Sequence, residues 1–112
     1  MTILIRSRGH VDVLEIGGRF DAHVAPKIKD WQDQAGTSSR VVVNLAGVSF
    51  IDSAGMAVLV RGMKRCRQAG GDMRLCAMQP PVRIIFELTN LDRAFEVCAS
   101  ENEAVAAFGP ER

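Results

Sequence analysis

Val48-Ser49-Phe50-Ile51-Asp52-Ser53-Ala54-Gly55-Met56 is the stretch on which the fold turns, a short apolar run ending in an acid, a hydroxyl and two of the smallest side chains. Upstream, Val41-Val42-Val43-Asn44-Leu45 is apolar without alternation and reads as a strand buried on both faces. Downstream, Met56, Leu59, Val60, Met63 and Cys66 recur at helical spacing. Asp52 and Ser53 therefore fall where a strand hands over to a helix.

That position has a chemistry of its own. The first N–H groups of a helix have no acceptor inside it, and the aligned peptide dipoles leave partial positive charge there. Asp52 or Ser53 can cap those donors, which is the plainer reading. The sharper reading starts from Ala54 and Gly55, whose size lets a partner's backbone or a phosphate approach Ser53. A hydroxyl so placed accepts a phosphoryl group without unfolding the helix, because the dianion sits at its positive end.

Enzymatic readings find no support in the residues. A nucleophile elbow needs Gly two positions before the serine, where Ile51 stands. A Ser-His-Asp triad needs a histidine, and nothing in the sequence places His10 or His23 beside Ser53. Gly17-Gly18 belongs to neither a P-loop nor a dinucleotide fingerprint. No catalytic constellation, metal-ligand spacing or cofactor motif is evident, so the chain is expected not to be an enzyme.

With 112 residues, 47% of them hydrophobic, the chain is expected to form one domain able to fold without staples. Its 14 basic and 13 acidic residues nearly cancel, which argues against nucleic acid as a partner. Cys66, Cys76 and Cys98 follow no C-x-x-C spacing and read as small buried hydrophobes in a reducing compartment. Met1 to Ile5 runs into arginines and a strand pattern rather than a signal peptide. No apolar run approaches the roughly 20 residues of a membrane span. The expected location is the cytoplasm, without direct membrane insertion.

Thr2 to Ser7 and the stretch from Val11 to Ile16 suggest a hairpin turning at Arg8-Gly9, with Gly17 to Asp21 as its exit loop. A helix from about Ala22 to Ala35 follows, carrying Val24, Ile28, Trp31 and Ala35 on one face, with Pro26 in an early turn. Trp31 is expected in the core. Asp21 either caps this helix or faces the same edge as Ser53, since loops leaving the carboxyl ends of parallel strands cluster. Gly36 to Ser39 ends the helix, and Gly70-Gly71 closes the helix that begins after Ser53. On that helix Arg61, Lys64, Arg65 and Gln68 read as solvated, while Ala54 and Val58 form a small apolar patch near Ser53. Met73, Leu75 and Ala77 suggest another strand, Pro80-Pro81 a helix through Thr89, Ala94 to Cys98 a last strand and Glu101 to Phe108 a last helix. The implied class is α/β, a mixed, mostly parallel sheet of about five strands with about four helices, over residues 1–108 with a tail at 109–112.

With these segments in register, the chain resembles a STAS domain, the module of bacterial anti-sigma factor antagonists and sulphate-transporter tails. Gly18-Arg19-Phe20-Asp21, Val42-Val43-Asn44-Leu45 through Phe50-Ile51-Asp52-Ser53-Ala54-Gly55, and Gly70-Gly71-Asp72-Met73-Arg74-Leu75 carry the resemblance. Ala54 stands where many relatives have a second serine and Met56 where leucine is usual. The resemblance implies partner switching, in which the unphosphorylated protein binds an anti-sigma factor that is also a serine kinase. Phosphorylation then releases it, and a serine phosphatase resets it. On this reading Ser53 is the phosphoacceptor, Asp52 orients it, and Asp21, Ala54, Gly55 and Val58 join the docking surface. The alternative that the family implies is an adaptor subunit on the ATPase of a lipid-type ABC transporter.

Overall fold

The computed structural model describes residues 2–34 and 38–109. β1 (Thr2–Arg8) and β2 (Val11–Phe20) form the expected antiparallel hairpin, turned at Gly9 with φ +62°. β3 (Arg40–Ile51), β4 (Asp72–Cys76) and β5 (Glu96–Cys98) then add in parallel, giving the sheet order β1-β2-β3-β4-β5. Between and after them run α1 (Ala25–Asp33), α2 (Ser53–Gln68), α3 (Pro80–Leu88), α4 (Leu91–Ala94) and α5 (Glu101–Ala106). The expected class stands, with five helices among the described residues where about four were expected, because Leu91–Ala94 coils into a helical turn before β5.

Parallel strands added always in one direction, through crossovers of one hand, put their connecting helices on one face. The buried clusters follow that rule. Leu14, Ile16, Val41, Val43 and Leu75 pack with Ile28 of α1, Leu59 of α2 and Phe86 of α3, whereas Val11, Val13, Val42 and Cys76 pack with Ala104 of α5. β3 is thus buried on both faces, as its unbroken apolar run implies. The α5 face is held to the strands by Glu101, which accepts hydrogen bonds from Arg6 (2.7 and 3.2 Å), Arg8 (2.9 Å) and Asn44 (3.1 Å). The Arg6 bond chiefly holds the Glu101 carboxyl down at about 2.

Several local expectations need correction. Gly17 to Phe20 is strand rather than exit loop. Gly17 and Gly18 pair with Gly47 and Val48 between two register shifts, each of which puts an extra residue on β3, and Phe20 still pairs with Ile51. α1 starts at Ala25, and Ala35 to Thr37 lie outside the described residues. Trp31 is only partly buried against the core, and Gln32 takes the enclosed position beside it. Ala77, at φ +60°, lies beyond β4; the last strand shrinks to Glu96–Cys98, and the last helix ends at Ala106. Cys98 is half-buried, unlike Cys66 and Cys76. Of the expected tail, 110–112 lie outside the described residues. Among the described residues no helix is long and apolar enough to cross a membrane.

Candidate functional site

The junction of β3 and α2 is built by three contacts. Asp52, the N-cap, accepts the Gly55 N–H on Oδ1 at 3.0 Å, and its own N–H donates to the Phe20 carbonyl at 3.3 Å. Gly55 is buried, and a Cβ there would stand 2.5 Å from the Phe20 oxygen and 2.9 Å from Ile51 Cγ1. The head of α2 is therefore pinned to the carboxyl ends of β2 and β3. Ser53 is the first residue of α2 and is exposed. Among the described residues its hydroxyl has no hydrogen-bond partner, because Asp52 does the capping.

Ser53 stands between two hollows. Asp52 lines one of about 190 Å³ with Arg19, Asp21, Ala22, His23 and Phe50. Asp21 does not cap α1. Its Oδ1 accepts the His23 N–H at 3.0 Å, and its carbonyl accepts from Val24 and Ala25, ordering the turn before the helix. Arg19 lies over the Phe50 ring at 4.0 Å, with Nε 3.8 Å from Asp21.

Ala54 lines the second hollow, a largely apolar groove of about 450 Å³ between α1 and α2. Its walls include Ala25, Pro26 and Ala57, with Lys29 and Arg61 among the lining residues. The small apolar patch expected near Ser53 is real, but its composition differs. Val58 is only 6% exposed and forms floor rather than surface. Gly55, too, serves internal close approach instead of facing outward. The surface positions pass to Ala22, Pro26 and Ala57.

Sequence reasoning also missed what holds the groove open at a fixed width. Gln32 Nε2 donates to the Val58 carbonyl at 3.0 Å, and its Oε1 accepts from Arg61 at 2.8 Å. Arg61 and Arg65 both donate to Asp33, whose carboxyl is held below its usual range chiefly by Arg61. Arg61 is thus a strut between α1 and α2 rather than a solvated charge. A glutamine four residues from Ile28, in register with the apolar stripe of the expected helix, was the available signal.

The site does not assemble nucleophilic chemistry. His23 lines the hollow beside Asp52, yet no hydrogen bond joins it to Ser53 among the described residues. Burial pushes the Cys66 thiol up to about 11 and Cys76 up to about 12, far from thiolate reactivity at neutral pH. What the geometry offers is an exposed hydroxyl on a rigid helix head, flanked by a polar hollow and an apolar groove.

Comparison with known proteins adds the family context. The family model described as STAS domain matches residues 2–104. The anti-sigma-B factor antagonist of Listeria monocytogenes is 30% identical over 100 residues, 88% of this chain and 87% of that one. BtrV of Bordetella bronchiseptica is 39% identical over 69 residues, and the match spans 62% of this chain and 60% of BtrV. Among solved structures, the anti-sigma factor antagonist SpoIIAA in its unphosphorylated form superposes with a TM-score of 0.83 at 23% identity, covering 95% of each chain. The phosphorylated form of Bacillus SpoIIAA gives 0.70 at 22% identity, covering 95% of this chain and 98% of that one.

Proposed function

The chain belongs to the STAS domain family, and from that premise we propose that it is a non-enzymatic anti-sigma factor antagonist working by partner switching. Unphosphorylated, it binds an anti-sigma factor that is also a serine kinase. Phosphorylated on Ser53, it is released, and a serine phosphatase resets it. The observation that carries this reading is the division of labour at the helix head. Asp52 supplies the side-chain cap, and the exposed Ser53 hydroxyl makes no hydrogen bond among the described residues.

The same geometry supplies a physical reason for the switch. A phosphoserine adds about −1.5 to −2 charges at neutral pH. Within the fold, the dianion at the first position of α2 meets the favourable end of the helix dipole. Across a docked interface it meets desolvation, with Asp52 and Asp21 already placing negative charge nearby. The docking surface comprises Ser53, Ala54, the α1–α2 groove and the rim formed by Asp21 and Asp52. Gly55 and Val58 act from beneath it.

The experiment is an affinity capture from the native cell's lysate with ATP and magnesium, using wild type, Ser53→Ala and Ser53→Asp as baits. Mass spectrometry reads phosphate on Ser53. Partner switching requires that Ser53→Ala retain a kinase of the anti-sigma type, that Ser53→Asp release it, and that the wild type become phosphorylated. Recovery of one transporter ATPase by all three baits, with Ser53 unmodified, rejects the switch in favour of the adaptor.

A further inference from the structure

We propose that the free edge of β1 pairs with β1 of a second copy of this chain, antiparallel and centred on Leu4, to form a two-fold symmetric dimer. β1 is the outer strand of the sheet and pairs only with β2 on its inner side. Exposed edges present unpaired backbone donors and acceptors, and are ordinarily blunted by proline, charged side chains (lysine above all), a bulge or extreme shortness. β1 has seven residues, no proline or lysine and no bulge, since the register shifts of this sheet lie in the β2–β3 seam, and its two charged side chains, Arg6 and Arg8, are held by Glu15 and Glu101. It instead exposes Leu4 and Ile5, at 52% and 48%.

The sequence of β1 selects both the occupant and the register. Cross-strand partners show that Ile3 and Ile5, opposite Ile16 and Leu14, share the face covered by α1, whereas Leu4 and Arg6, opposite Glu15 and Val13, share the α5 face. A two-fold axis through the sheet keeps each residue on its own face, so self-pairing joins residues of equal parity. Centred on Leu4, the ladder sets Leu4 against Leu4, Ile3 against Ile5 twice, and Thr2 against Arg6. Every large apolar residue then faces another, and no like charges are opposed. Centred on Ile5, Leu4 faces Arg6 and Ile3 faces Ser7, which wastes the apolar match. Arg6 and Arg8 are paired with Glu15 and Glu101, a cluster of balanced formal charge beside this edge. Ser53, at the first position of α2 beyond β3, is not part of this ladder, so the dimer carries two separate copies of the proposed switch.

The test is sedimentation velocity of the full chain over a concentration series, joined to cysteine cross-linking. Wild type is expected to move from monomer to dimer as concentration rises. Leu4→Lys, which opposes two ammonium groups at the axis, is expected to weaken the dimer by at least about tenfold. An Ile84→Lys/Leu88→Lys variant, altering the other exposed apolar pair, is expected to dimerise as the wild type does. In this register Leu4→Cys residues lie about 4.5–5.5 Å apart at Cα, within disulfide reach. Oxidation should therefore link Leu4→Cys dimers but not Ser7→Cys, with wild type setting the background from the native thiols. A monomer at every concentration, a dimer untouched by Leu4→Lys, loss of the dimer in the α3 variant, or cross-linking through Ser7→Cys in place of Leu4→Cys would each overturn the proposal.

Discussion

Replacing Gly55 by alanine tests how the helix head is held. At an exposed helical position the change from Gly to Ala stabilises by about 1 kcal/mol. Here the new methyl would sit 2.5 Å from the Phe20 carbonyl oxygen and 2.9 Å from Ile51 Cγ1, where real contacts stay beyond 3.0 Å. The start of α2 must therefore retreat by at least about half an ångström. The oxygen cannot swing aside freely, because it sits in the β2–β3 seam and accepts the Asp52 N–H. Overpacking of this kind costs about 1–3 kcal/mol, and weakening the Asp52 hydrogen bond adds about 1 kcal/mol. Set against the propensity gain, Gly55→Ala is expected to destabilise by about 2 kcal/mol, lowering the melting temperature by roughly 8 °C for a domain of this size. Thermal and urea denaturation followed by circular dichroism measure both quantities. A variant as stable as wild type, or more stable, would refute the claim that Gly55 is there to let α2 touch β2.

Three further outcomes follow from contacts already described. Asp52→Ala removes the only side-chain cap of α2 and should cost about 1 kcal/mol, while Asp52→Asn should recover most of it; urea midpoints of the two variants decide. Glu101, held at about 2 against an ordinary 4.5, binds fewer protons folded than unfolded, so the stability it contributes is full above pH 4.5 and lost as pH falls toward 2. The stability gap between wild type and Glu101→Gln should accordingly stay constant from pH 7 to 5 and close below 4.5, and a gap independent of pH would contradict the assignment. Finally, a thiol reagent at pH 8 should label Cys98 well before Cys66 and Cys76, since burial raises all three thiols but encloses only the latter two. Peptide mapping of the native protein after a timed pulse reads that order.

Much of the fold was legible because two local signals agreed. The unbroken Val41 to Val43 run marked a strand buried twice, and the spacing after Ser53 marked an amphipathic helix whose cap had to be Asp52 or Ser53. The errors arose where a distant element decided the outcome. Gly17-Gly18 looked like a break, yet a shift of register against β3 keeps the strand intact. Val58 looked exposed because helical period ranks the residues of α2 but does not reveal that α1 covers that flank. Gln32 was passed over as polar, although Arg61 and the Val58 carbonyl satisfy both ends of its amide. Gly55 was read as openness toward a partner, when its missing side chain is used by Phe20 from within.

The order of the strands has a consequence for how the chain acquires its shape. Because spatial order repeats chain order, each strand docks on an edge that earlier residues have already formed, and none has to be threaded between two others. Each pairing joins strands that follow one another in the chain, an order that suits assembly as the chain leaves the ribosome, although the parallel partners stand far apart in sequence, as Val41 and Met73 do. The bonds from Arg6 and Arg8 to Glu101 reach much further, spanning 95 and 93 positions. They work as a fastener drawn shut once the sheet is complete, so their strength governs chiefly how slowly the finished domain reopens and only weakly how fast it forms.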